Sequence, residues 1–348
     1  MKTTFISTYA IGEAVRSHIM RSQSRLADAQ LELSTGVHSD VGVAIGGQYA
    51  SLTYLRQQRE EMLTLDKSNA VLSTKMGVTQ DALESMVKGA QDFVAEVLGA
   101  QGTGSQAVIQ KQAGTRITAL NDLANSSFDG AYLFAGTNSG QAPMNDFFSN
   151  PASAARTAVE TAFITEFGFP PSDPAAESIS ETAMTTFLNG AFSDLFDDPA
   201  WGTDWSTASD NIPSVRISNT EKVEAGVSAN EDAFRLLTSV YVAASELGTD
   251  KLNSTTFEAL TTWIAERTGS AVKEVSVVQA RVGTVEQRIG DAIDRSEIQR
   301  NVLNIRIDEI EGVDPFEAST RVTSLLTQIE TSYAVTSRIQ QLSILNYL

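Results

Sequence analysis

The sequence predicts a mainly α protein: an elongated helical coiled-coil stem formed by the N- and C-terminal segments, with a β-containing (α+β) central domain. Two observations carry that reading. Apolar residues recur at heptad spacing in both flanks, and the helix breakers collect between them. Seven of the eight prolines lie between Pro143 and Pro213, and eight of the fifteen phenylalanines lie between Phe147 and Phe196. Proline interrupts a helix anywhere beyond its first turn, so long helices belong to the flanks. The middle is also the acidic part, with 13 Asp+Glu against 3 Lys+Arg over residues 141–230. Its aromatic, Pro-rich composition predicts a core separate from the stem.

The elements follow in chain order. Residues 11–33 put Ile11, Val15, His18, Ser22, Ala29 and Leu33 on one stripe, with Leu26 nearby. Such a thin stripe buries little and is marginal alone, so this end is expected to order only against another chain. A fuller seam then reads Met62, Leu65, Asn69, Leu72, Met76, Thr79, Leu83, Met86, Ala90, Phe93, Val97. Nine of these eleven positions are apolar, the a/d pattern of a supercoiled helix. The Gly-rich break at 99–104 suits a turn, and a third helix is expected from Ser105 to Asn125. FDGAYLFAGTNSG (128–140) reads as strand and turn, and a strand pair is expected at 215–218 and 222–227.

The second rod carries Val275, Val278, Val282, Val285, Ile289, Ala292, Ser296, Gln299, Leu303, Arg306, Ile310 and Val313 at the same spacing. At ~1.5 Å per residue the two rods come to ~54 and ~58 Å, lengths that suit mutual packing. Their polar seam residues, Asn69 among them, weaken the core but fix register. Beyond them, Val322, Leu325, Ile329, Ser332, Thr336 and Ile339 form a second thin stripe, with Leu342 and Leu345 near the end.

Composition excludes several function classes. The 348 residues hold 25 Lys+Arg and 43 Asp+Glu, a net charge of −18. Nucleic acid and anionic lipid both call for a basic footprint that is missing here. There is no cysteine, and His18 and His38 are the two histidines. Thiolate chemistry and a three-His metal centre are therefore excluded. No charge-free run reaches the ~18 residues needed to span a bilayer. The N-terminal stretch MKTTFISTYAIGEAV lacks the apolar region and cleavage site of a signal peptide. Asp194, Asp197, Asp198, Asp204 and Asp210 lack calcium-loop spacing, so a solvated loop with Trp201 and Trp205 half buried is expected. Gly102-Thr103-Gly104-Ser105 has no following Lys to make a P-loop, and no Gly-x-Ser-x-Gly elbow exists. No enzyme, cofactor or metal is expected.

Ile6-Ser7-Thr8, Gln23, Leu26 and the run Gln30 to Gly36 resemble the start of bacterial flagellins. Two features are more similar to the hook–filament junction family, hook-associated protein 3. One is Gly130 to Thr137, GAYLFAGT, with Tyr132, Leu133, Phe134 and Gly136 in the family-like hairpin. The other is the ending QLSILNYL from Gln341 to Leu348, and Glu311–Val322 sits where that family has an acidic break. The resemblance covers about 1–140 and 270–348. It implies a motility protein exported through the flagellar type III apparatus without a cleaved signal peptide, located outside the cell in the flagellum. It also implies partners: a helical ring of its own copies, flagellin and a second hook-associated protein, with an export chaperone as a further candidate.

The resulting division is an N-terminal assembly segment (1–54), a stem (55–139 plus 231–317), a variable acidic module (140–230) and a C-terminal assembly helix (318–348). Hook-to-filament junction subunit is the leading reading. A short flagellin building the filament itself and a cytoplasmic coiled-coil adaptor stay open beside it.

Overall fold

A computed structural model describes residues 8–101 and 104–345, leaving aside the side chains of residues 8, 9, 11, 339, 340 and 342–345. The fold is mainly α. Its helices are α1 (Thr8–Thr35), α2 (Val41–Ile45), α3 (Tyr49–Gly99), α4 (Gln106–Ala124), α5 (Ala154–Phe167), α6 (Glu181–Asn189), α7 (Asp232–Glu246), α8 (Ser254–Glu311) and α9 (Pro315–Leu345). Two short antiparallel hairpins complete it: β1 (Ser127–Phe128) with β2 (Ala131–Tyr132), and β3 (Ser214–Arg216) with β4 (Lys222–Glu224). The chain divides into two compact units. One is made by the two chain ends, up to Thr64 and from Ser296; the other is Leu65–Arg295.

In the middle unit the first rod behaves as the heptads require. Leu72, Met76, Leu83, Met86, Ala90, Phe93 and Val97 of α3 are buried, as are Val275, Val278, Val282, Val285, Ile289 and Ala292 of α8. Gln80 Nε2 donates to the Gln279 carbonyl at 2.7 Å, a direct tie between the two helices. Helix α4 presents Ile109, Ala113, Ile117, Leu120 and Ala124 inward and packs on α7. Phe93 meets Tyr241 of α7 edge-on at 5.2 Å.

Asn69 has a use that the heptad alone does not suggest. It is buried, and its Nδ2 donates to the Ile217 carbonyl at 2.8 Å, so it holds the β3–β4 hairpin against α3. The tip of that hairpin is tied to α8 by Glu221, which accepts from Arg288 and Arg295, each at 3.0 Å.

The aromatic module departs from expectation in two respects. Its core is not separate: Phe147, Phe163, Phe187, Phe192 and Phe196 join the α3, α4, α7 and α8 side chains in one contiguous cluster. Phe192 stacks edge-on against Trp263 of α8 at 5.8 Å, and Thr256 Oγ1 donates to the Ile179 carbonyl at 2.6 Å. Large rings bury most when several elements enclose them, so the module and the helices share one interior. Nor are Trp201 and Trp205 half buried. Both are fully enclosed, their indole N–H groups satisfied by Asn230 Oδ1 and the Leu195 carbonyl.

The family-like segment is built around Gly136. Leu133 and Phe134 are buried, and Phe134 packs on Phe234 at 5.2 Å. Tyr132 is half-buried. Gly136 has a φ of 60°, and a Cβ there would lie 2.2 Å from the Ser209 carbonyl oxygen. Only glycine fits such a left-handed, close-packed position.

Candidate assembly surface

In the chain-end unit, α1 packs antiparallel on α9 through a narrow seam. Ile19, Ser22 and Ala29 of α1 are buried, Val15 and Leu26 are half-buried, and on α9 Ile329 is buried while Val322, Leu325, Ser332 and Thr336 are half-buried. His18 and Leu33 lie outside it, both exposed. The side chains of Ile11, Ile339, Leu342 and Leu345 fall outside the described residues, as do Gly102, Thr103 and the final three residues. Four of these ten side chains are Ser, Thr or Ala and only four of the ten are buried, so the seam buries little surface.

Toward residues 62–65 of the first rod and 299–310 of the second, both rods depart from strict heptads. Met62 and Leu65 are half-buried, as are Leu303 and Ile310. Gln299 and Arg306 are exposed, and Ile307 takes the buried place. A straight helix drifts ~20° per heptad, so counting by sevens loses the face after a few turns.

Where α1 ends and α9 begins, the backbone crosses itself in a polar knot. His38 N–H donates to the Glu311 carbonyl at 3.0 Å, and Val313 N–H to that of Gly36 at 2.9 Å. Beneath them Glu32, only 7 % exposed, accepts from the Ser39 backbone at 3.2 Å and from Arg321 at 2.9 Å, with His38 Nδ1 at 3.6 Å. Burial by itself would raise the Glu32 pKa, but the Ser39 N–H, Arg321 and His38 together hold it below its ordinary value. Arg56 of α3 pairs with Glu311 on the far side. Sequence reasoning missed this knot. Its one signal was Glu32 following Ala29 at seam spacing.

The outward faces of this unit are its distinguishing property. Among the described residues, nineteen large apolar side chains are exposed, and thirteen of them are here. Among the same described residues, six apolar ones are buried in it: Ile19, Ala29, Leu52, Ile307, Ala318 and Ile329. Scattered exposed apolar residues are ordinary; a unit with more outside than inside is not. Among the described residues no three His, Cys, Asp or Glu side chains gather as a metal site, and no helix is long and apolar enough to cross a membrane.

Comparison with known proteins agrees with the helical ends. The model of the bacterial flagellin N-terminal helical region matches residues 6–139, and that of the C-terminal helical region matches 265–348. Residues 140–264 are matched by neither. A protein described as flagellar hook-associated, from Vibrio parahaemolyticus, shares the fold with a TM-score of 0.52 at 10 % identity, over 75 % of this chain and 96 % of its own. FlgL of Bacillus cereus aligns with a TM-score of 0.40 at 11 % identity, over 76 % of this chain and 98 % of its own. No curated protein sequence matches the chain.

Proposed function

The chain belongs to the bacterial flagellin family and is a structural subunit of the flagellum, and from that premise we propose that it joins hook to filament. In this reading it is exported unfolded through the type III apparatus and works outside the cell, without catalysis. Copies form a short helical ring between a second hook-associated protein on one side and flagellin on the other. Residues 1–54 and 318–348 serve assembly, 55–139 with 231–317 form the stem, and 140–230 is the variable module.

The observation that carries this is the apolar excess on the outside of the chain-end unit. Apolar area left in water is a standing driving force for association, and a non-enzymatic subunit has no other evident use for it. Heterologous, head-to-tail contacts would propagate such a surface into a ring or tube.

Deleting residues 332–348 removes the last turns of α9 while sparing Leu65–Arg295. The truncated protein should keep the melting transition of that middle unit yet fail to assemble. Cells carrying it should build hooks and shed filament subunits into the medium. Normal filaments on such cells would sink the junction reading. Abundance in purified flagella separates the alternatives, since a filament-forming flagellin would be the dominant protein there.

A further inference from the structure

Helix α8 carries, within the chain-end unit, an apolar stripe that none of the described residues of that unit covers. Ile298, Val302 and Ile305 recur at spacings of 4 and 3, one face of a helix, and are 65, 53 and 59 % exposed. They lie on a different face from the buried Ile307. The exposed charges around them have an acidic excess: Asp294, Glu297, Asp308 and Glu309, against Arg295 and Arg306.

Helix α1 offers the opposite sign. Between Thr8 and Ala27 it holds Arg16, Arg21 and Arg25 and one acid, Glu13, in a chain whose net charge is −18. All three arginines are exposed, and among them stands Met20, 56 % exposed and turned away from the α1–α9 seam. Among the described residues Arg16 makes a 3.9 Å contact to Glu13, and Arg21 Nε donates to the Ser17 carbonyl.

We infer that the α8 stripe is the docking face for the outer side of α1 from a second copy of this chain. An apolar knob in a basic frame meets an apolar stripe in an acidic frame. The two surfaces differ, so the contact is head-to-tail and leaves each copy with one free face to extend the array. The proposal rests on the self-assembly reading and adds to it which surfaces meet.

The absence of cysteine makes the test clean. One preparation carries Met20→Cys; others carry Ile298→Cys, Val302→Cys or Ile305→Cys, all in the full chain. Each pair is mixed under assembling conditions, oxidised, and resolved without reductant, while sedimentation reports assembly independently. A covalent dimer should form in at least one mixture and in neither member alone. Adding Arg16→Glu and Arg21→Glu to the first partner should cut its yield about tenfold or more, a loss of one decade of affinity. Glu297→Arg with Asp308→Arg in the second partner should restore it. Chains that sediment as assemblies yet give no mixed disulfide at any of the three positions overturn the α1–α8 pairing and leave self-assembly standing. Wild-type chains that never sediment, alone or with purified hooks, overturn both.

Discussion

Ser209 and Asn211 present their carbonyl oxygens where Gly136 has no side chain, at 2.2 and 2.8 Å from a notional Cβ. Around that point Thr137 N–H donates to Asn211 and Ser209 N–H to Ala135, so the approach cannot relax without breaking both bonds. Gly136→Ala combines a left-handed backbone with a clash against main chain, and should destabilise the middle unit by at least about 2 kcal/mol. Denaturant titration followed by tryptophan fluorescence would check it; a midpoint like that of the wild type would mean the loop is not held as described. That a glycine-bounded aromatic run mattered was legible in the sequence. What it touches was not, because the partner is backbone some seventy residues away and no side-chain identity encodes it.

At the scale of elements, the legible helices were those with one wet face. The seams of α3 and α8 show in the sequence because burial on one side and water on the other imposes a period. Helix α7 carries no such mark: Phe234, Leu237, Val240, Tyr241, Val242, Ala243 and Ala244 are all buried, so apolar residues surround it and periodicity vanishes. The knot between α1 and α9 was hidden for another reason: its two backbone crossings carry no side-chain signal, and its ion pairs join residues far apart in the chain. Its key side chain makes a pH prediction. Glu32 has a folded pKa below its ordinary value of 4.5, so the stability it contributes is complete above that value and is lost as pH falls through the folded pKa. The protection factors of the Val313 and His38 amides, exchange rates taken relative to the free amide at the same pH, should therefore fall on acidification. In Glu32→Gln they should be lower already at neutral pH and nearly flat below. Equal exchange in the two proteins at neutral pH would show that the backbone crossing holds without the carboxylate.

For the molecule as a whole, one contiguous core sets what can be removed. Excising residues 145–212 takes away Phe163, Phe187, Phe192, Trp201 and Trp205, and leaves Trp263 and the inner faces of α7 without cover. The remaining chain should stay helical but lose cooperativity, with a melting midpoint lower by about 10 °C or more. Red-shifted Trp263 emission should accompany the drop, and an unchanged midpoint would mean the module is separable after all. The helical ends with a different middle were plain from composition alone. The shared interior was not, because composition distinguishes segments without saying whether their apolar faces meet.

The apolar residues left outside the chain-end unit also bear on temperature. Covering hydrocarbon surface lowers heat capacity, and near room temperature the gain is almost wholly entropic. An assembly driven by covering such side chains is therefore favoured by warmth and loosened by cold, the reverse of one held by ion pairs and hydrogen bonds. Whatever rigidity the assembled structure has in a warm medium, chilling draws on the same hydration that holds it together.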